Sequence, residues 1–399
     1  MPLLDLWESG RDQIRGYALW QIVAMAGNGK LADGSACSDE LRRFFTIIEE
    51  DLLERYVNEC LEASFDLSGF VLQDLANEIG RRLEFDVEPG VYRGRRGVTG
   101  FDGIWKSNSN LEFLVEIKTT DTYNAQLDQV EGYRSELIRQ ERLGNDSSIL
   151  FVVGRQDTGA VEAQIRGSRH AWTMRVVGAA SLVRLMKVKI NSESNRVVRR
   201  IQTLLRPLEY TRVDGIVDLV FDAAEEAASG QEPPPIATPP AGEVSADLVA
   251  RRTASSSPSR EIEAFRDEAA KVISTKLGVQ LTRRRRSLFA SPDDDVHVVL
   301  AVSKRYDRDY QAYWYAFYDV HLDYLAESHV GYLALGALDT RRVYCIPLSF
   351  LQPLLEGMKA TVREDGQTYW HITTKLVGSE CRLVVAGEEV PLTEFEIQA

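Results

Sequence analysis

The feature that most restricts this chain is a nearly unbroken apolar run carrying two opposite charges at alternate positions, Phe113-Leu114-Val115-Glu116-Ile117-Lys118. Apolar residues this dense predict a central strand covered on both faces. Side chains along a strand alternate, so Glu116 and Lys118 share one face while Val115 and Ile117 point into the core. A charged pair in such a strand is costly unless it binds something. Asp102, in Gly100-Phe101-Asp102-Gly103-Ile104-Trp105, lies at the start or middle of the preceding strand and can reach the same spot across the hairpin. Two converging carboxylates make an oxygen-donor site for Mg²⁺ or Mn²⁺, and a neighbouring ammonium can position and activate a water. The competing reading, a surface ion pair on an edge strand, fits poorly with neighbours that are almost all apolar.

The segments around this run have a definite order. Asp66-Leu67-Ser68 opens a helix running to about Leu83, with Phe70, Val71, Leu75, Ile79 and Leu83 on one face. Strand-like segments follow at Phe85 to Tyr92, Gly100 to Lys106 and Leu111 to Thr119. A helix from about Asn124 to Leu143 and the apolar strand Ile149 to Val153 come next. A further helix, a strand near Met174 to Val177 and a helix from Ser181 complete an α/β unit over residues 66–190.

The pattern resembles the PD-(D/E)XK nuclease superfamily, carried here by Asp102 and by Glu116-Ile117-Lys118. The proline of the nominal motif is absent, as in many members. Two further features are similar to branches of that superfamily. Glu78 sits where Holliday-junction-resolvase and Mrr-type members carry a helix acid, with Glu88 as its substitute. Gln129-Val130-Glu131-Gly132-Tyr133 matches the QxxxY of RecB-type members, on one helix face at i, i+4. The resemblance implies a restriction-endonuclease-like core of helix, three strands, helix and strand. It implies Mg²⁺ or Mn²⁺ held by Asp102 and Glu116 with Glu78 as third ligand, Lys118 orienting the attacking water, and Gln129 and Tyr133 contacting backbone or positioning Lys118. The activity implied is hydrolysis of phosphodiester bonds by an endonuclease, with double-stranded DNA as leading substrate and RNA or junctions left open. A catalytically inactive binding protein on the same fold is the alternative. Arg93, Arg95, Arg96, Arg166 and Arg169 are the candidate nucleic-acid contacts, since a phosphate-facing surface needs positive charge.

Elsewhere the chain divides by composition. Residues 1–65 read as a helical N-terminal region, with Ile14, Leu19, Ile22 and Val23, then Leu41, Phe44, Ile47, Ile48 and Leu52, at helical spacing around a glycine turn at Gly27 to Lys30. Residues 191–228 read as a helical extension, and 229–259, rich in Pro, Ala and Ser, as a flexible linker. Residues 260–399 read as a separate α+β domain for recognition or regulation. Its densest basic run, Arg283 to Arg286, is expected to pair with Asp293 to Asp295 across an exposed hairpin, or else to touch nucleic acid. Its aromatics around Trp314 and Trp370 divide by alternation, half of them toward a core, although a pocket that stacks a flipped or modified base would be built from the same residues.

Charge argues against indiscriminate nucleic-acid binding, because the chain carries a net charge of −13. The excess lies outside the α/β unit: residues 66–190 hold 17 acids and 17 bases, whereas residues 1–65 hold 12 acids and 6 bases. Selective cleavage of a DNA substrate accepted by the C-terminal domain, in a restriction or defence role, is the expectation. No apolar run is long enough to cross a membrane, and Met1-Pro2-Leu3-Leu4-Asp5 does not open a signal peptide. Four scattered cysteines indicate neither a disulfide framework nor a zinc site. A cytoplasmic protein is expected, with a homodimer left open.

Overall fold

The computed structural model of the protein describes residues 3–62, 65–93, 100–120, 122, 125–155, 159–192, 194–207, 258–307, 311–362, 368–378 and 380–398. The chain divides into two units, Met1–Ala227 and Ala228–Ala399, and each is taken by itself.

Helices open the first unit: α1 (Leu3–Ser9), α2 (Arg11–Arg15), α3 (Leu19–Met25), α4 (Ala36–Ile47) and α5 (Glu50–Glu62). The stripe Leu41, Phe44, Ile47, Ile48 and Leu52 is buried, as its three-and-four spacing requires. Between α3 and α4 the glycines turn the chain: Gly27 has φ of 53°, and a Cβ there would meet the Ala36 carbonyl carbon at 2.5 Å. Ser35 then caps α4, its Oγ accepting the Ser38 N–H at 3.1 Å.

Helix α6 (Ser68–Arg82) leads into β1 (Asp86–Pro89), β2 (Gly103–Lys106) and β3 (Glu112–Thr120). After them come α7 (Leu127–Arg139), β4 (Ser148–Arg155), α8 (Ala160–Arg166), β5 (Met174–Gly178), α9 (Ala179–Ile190) and α10 (Asn195–Leu204). The five strands lie in the order β1-β2-β3-β4-β5, antiparallel as far as β3 and parallel from there on. The apolar run is therefore the middle strand, covered on both sides. Phe113, Val115 and Ile117 join one core with Leu75 and Ile79 of α6 and Leu182 and Met186 of α9. Leu114 and Phe151 join a second core with Val130 and Leu137 of α7 and Val161 and Ile165 of α8. Helices on both faces of one sheet make this unit α/β. Residues 208–228 of the expected helical extension and 229–257 of the expected linker lie outside the described residues.

In the second unit α11 (Pro258–Leu277) precedes β6 (Thr282–Arg283), β7 (Leu288–Ala290), β8 (Val296–Ser303), β9 (Tyr306–Asp307) and β10 (Gln311–Tyr318). Then follow α12 (Asp319–Ala326), β11 (Val330–Ala337), β12 (Arg342–Pro347), α13 (Leu348–Leu351), β13 (Ala360–Val362), β14 (Thr368–Val377), β15 (Glu380–Val385), β16 (Glu388–Pro391) and β17 (Glu396–Gln398). One sheet runs β17-β12-β11-β8-β7-β6, the other β16-β15-β14-β10-β9 with β13 also on β14. Their facing sides share a core that includes Val299, Leu333, Tyr313, Tyr315, Phe317 and Ile372. Phe265, Ala269 and Ile273 of α11 cover the other side of the first sheet. The aromatics do divide by alternation, with Tyr313, Tyr315 and Phe317 buried inward and Trp314 on the opposite side of β10. The arginine run pairs as expected only in part. Arg284 lies 3.6 Å from Asp294, but Arg283 and Arg286 turn to Glu263 of α11, at 2.8 and 3.4 Å.

Candidate active site

Strand pairing brings Asp102 to the charged pair. Gly103 lies opposite Val115, and the Asp102 N–H donates to the Val115 carbonyl at 3.2 Å, so Asp102 sits one step beyond the end of β2. Its Oδ2 accepts the Ile117 N–H at 2.6 Å. Lys118 Nζ lies 2.6 Å from Oε1 of Glu116 and 3.7 Å from Oδ2 of Asp102. Two carboxylates and one ammonium thus meet at one half-buried spot against the middle strand.

The electrostatics of this cluster are unbalanced. Burial, and then the negative charge of Glu116, push the Asp102 carboxyl up to about 7, against the opposing pull of Lys118 and the Ile117 N–H. With both acids ionised, one ammonium against two carboxylates leaves a net negative site built of oxygen donors. Such a donor set suits a hard divalent cation, and Mg²⁺ in particular uses one or two carboxylates with waters and substrate phosphates completing its shell. Among the described residues no group of three or more His, Cys, Asp or Glu side chains converges.

Glu78 is accordingly not brought to Asp102 and Glu116 as the third ligand. Its carboxylate is buried and ion-paired with Arg82 at 3.0 Å and Arg81 at 3.5 Å. Arg82 in turn donates to the carbonyls of Phe45 and Ile48, at 2.8 and 2.7 Å. The reason is helical rotation: about 100° per residue carries Glu78 away from its neighbour Asn77, which faces β2. Glu88, the substitute, is held by Arg142.

Gln129 and Tyr133 stand one helical turn apart on α7, the Gln129 amide donating to the Tyr133 hydroxyl. Tyr133 packs into the core that contains Leu114, on the sheet face that carries Glu116 and Lys118. The candidate arginines are more scattered. Arg169 and His170 both reach Asp128, at 2.9 and 2.7 Å, directly before Gln129. Arg166 pairs with Glu162 on its own helix. Arg93 is exposed, with its guanidinium carbon 5.9 Å from the centre of the Phe70 ring. Arg95 and Arg96 lie outside the described residues.

Two residues at the site were missed in the sequence. Asn77 Nδ2 donates to the Asp102 carbonyl at 2.8 Å, and Gln73 Nε2 donates to the same oxygen at 3.2 Å. Both are buried. The available signal was a pair of amides at i, i+4 on a helix with an apolar stripe, because buried polar groups must find partners. No family model, curated protein or solved structure matches this chain.

Proposed function

We propose that residues 66–190 form a restriction-endonuclease-like core of the PD-(D/E)XK kind that hydrolyses phosphodiester bonds in DNA with Mg²⁺ or Mn²⁺. The observation that carries this reading is the meeting of Asp102, Glu116 and Lys118 at one spot of a strand that is otherwise apolar. Asp102 and Glu116 would hold the ion, which when bound supplies positive charge against the phosphate. Lys118 would orient a water whose oxygen bonds to phosphorus as the ester P–O bond breaks. The water gives up a proton and the leaving oxygen gains one. Gln129 and Tyr133, on the helix that covers this face, would contact the phosphate backbone, as would Arg169 beside them. The second unit would select the substrate and restrain cleavage, which suits a restriction or defence role by analogy only. Four buried free thiols suit a reducing, cytoplasmic compartment.

The test is nicking of supercoiled plasmid by the full chain with Mg²⁺ and with EDTA. Asp102→Asn and Lys118→Met should each lower Mg²⁺-dependent nicking by at least ~10²-fold, the scale on which lost proton-transfer or electrostatic groups act. Unchanged nicking in either variant would remove the assignment. Absence of cleavage of DNA, RNA and junctions by the unaltered chain would favour a binding protein on the same fold.

A further inference from the structure

The main chain of Asp102 is held more tightly than a strand end requires. Its carbonyl oxygen receives three donors: the Gly90 N–H at 3.0 Å, Asn77 Nδ2 at 2.8 Å and Gln73 Nε2 at 3.2 Å. Only the first extends the ladder between β1 and β2. The amide of Asn77 has one possible orientation, because its Oδ1 accepts from Trp105 Nε1 at 2.8 Å. An indole N–H can only donate and a carbonyl can only accept, so Oδ1 faces Trp105 and Nδ2 faces Asp102.

Packing holds the bridge from both sides. Trp105 is fully buried, and a Cβ on Gly80 would stand 2.6 Å from its ring. A Cβ on Gly103 would stand 2.3 Å from Asn77 Oδ1, so the residue after Asp102 must lack a side chain for Asn77 to approach. With the carbonyl clamped by α6, the N–H on Val115 and Oδ2 on Ile117, Asp102 is anchored through its main chain and its side chain alike.

We propose that Asn77, supported by Gln73 one turn earlier, is a positioning residue that aims the Asp102 carboxylate at the ion site through the Asp102 main chain. This rests on the metal-dependent reading above. It assigns α6 the task of orienting a ligand rather than supplying one. Groups that orient metal ligands in this way typically contribute ~10–100-fold in metal affinity.

The experiment uses the full chain freed of metal with EDTA, and reads Mn²⁺ binding from the loss of the free-ion EPR signal. The Mg²⁺ midpoint of plasmid nicking and the melting temperature are measured alongside. Asn77→Asp retains an acceptor for Trp105 and loses the donor to Asp102; it should weaken Mn²⁺ binding by ~10-fold or more and shift the Mg²⁺ midpoint likewise. Gln73→Met should cause a smaller loss in the same direction, and it decides the matter if Asn77→Asp does not fold. Leu41→Ala, a cavity in α4 that touches none of these bonds, should lower the melting temperature and leave Mn²⁺ affinity within ~2-fold. Wild-type Mn²⁺ affinity in the folded positioning variants, or an equal loss in Leu41→Ala, overturns the proposal. Asp102→Asn separates the two failures. If it binds Mn²⁺ normally the metal-dependent reading fails, whereas if it loses Mn²⁺ while Asn77→Asp and Gln73→Met retain it, only the positioning role fails.

Discussion

Oδ2 of Asp102 accepts the Ile117 N–H at 2.6 Å, which ties the acid at the end of one strand to the residue between Glu116 and Lys118 on the next. Ile117 itself points the other way, into the core with Val115. The middle residue of Glu116-Ile117-Lys118 therefore serves twice, its side chain filling the core and its main chain fixing the carboxylate. Burial, and then the negative charge of Glu116, raise the Asp102 carboxyl, and Lys118 and the Ile117 N–H offset only part of that rise.

Glu78 supplies a direct contrast between ligand and structural acid. Glu78→Gln would leave Arg82 buried without its counter-charge, at a cost of about 3 kcal/mol. Urea denaturation should show that loss while the Mg²⁺ midpoint of nicking stays within ~2-fold, since Glu78 is turned to Arg82 and away from the proposed ligands Asp102 and Glu116. A midpoint raised ~10-fold would make Glu78 a third ligand after all.

Asp102 should leave its mark on metal-free stability. Its carboxyl is raised from 3.8 to about 7, so between those values the folded chain holds a proton that the unfolded chain releases. The contribution favours folding at low pH and is lost as pH rises from about 4 to about 7. Melting temperatures in EDTA should move in favour of Asp102→Asn, relative to the natural chain, across that window. A difference that stays constant with pH would mean that the carboxyl is not raised.

Gly103 is required for space, not for an unusual backbone angle. In Gly103→Ala the new Cβ meets Asn77 Oδ1 at 2.3 Å, so α6 and β2 must part. A cost of about 1–3 kcal/mol is expected, the range for overpacked sites. Because the same movement draws Asn77 off Asp102, nicking should fall more than the fraction of folded protein does. Wild-type stability in this variant would contradict the close approach.

His371 in the second unit should respond to acid. Its Nδ1 accepts from Trp314 Nε1 at 3.2 Å, and its Nε2 lies 2.7 Å from Thr361 Oγ1. Burial, and then the charge of Lys359, hold its pKa below 6.5. A lowered histidine contributes stability that is present above 6.5 and lost as pH falls below it. Tryptophan fluorescence during urea unfolding of the full chain should show a loss between pH 7.5 and 5 that His371→Gln reduces. An identical loss in both proteins would show that this histidine does not titrate with unfolding.

Much of the site is legible in the amino-acid order itself. That Glu116 and Lys118 share a face follows from the two-residue period of a strand, and the apolar letters around them already mark a middle strand. The one-turn spacing of Gln129 and Tyr133 is equally local. Folding in three dimensions settled where those faces meet. The pairing of Gly103 with Val115 brings Asp102 to the strand, and the rotation of α6 turns Asn77 and Gln73 toward Asp102 while Glu78 goes to Arg82. Likewise Arg283 and Arg286 find Glu263, twenty or more residues earlier, in addition to the Arg284–Asp294 pairing in the nearby turn. Periodicity belongs to a few consecutive residues and survives in the sequence. Strand register, and the partners that a helix face meets, are set by packing between distant segments, which neighbouring residues do not record.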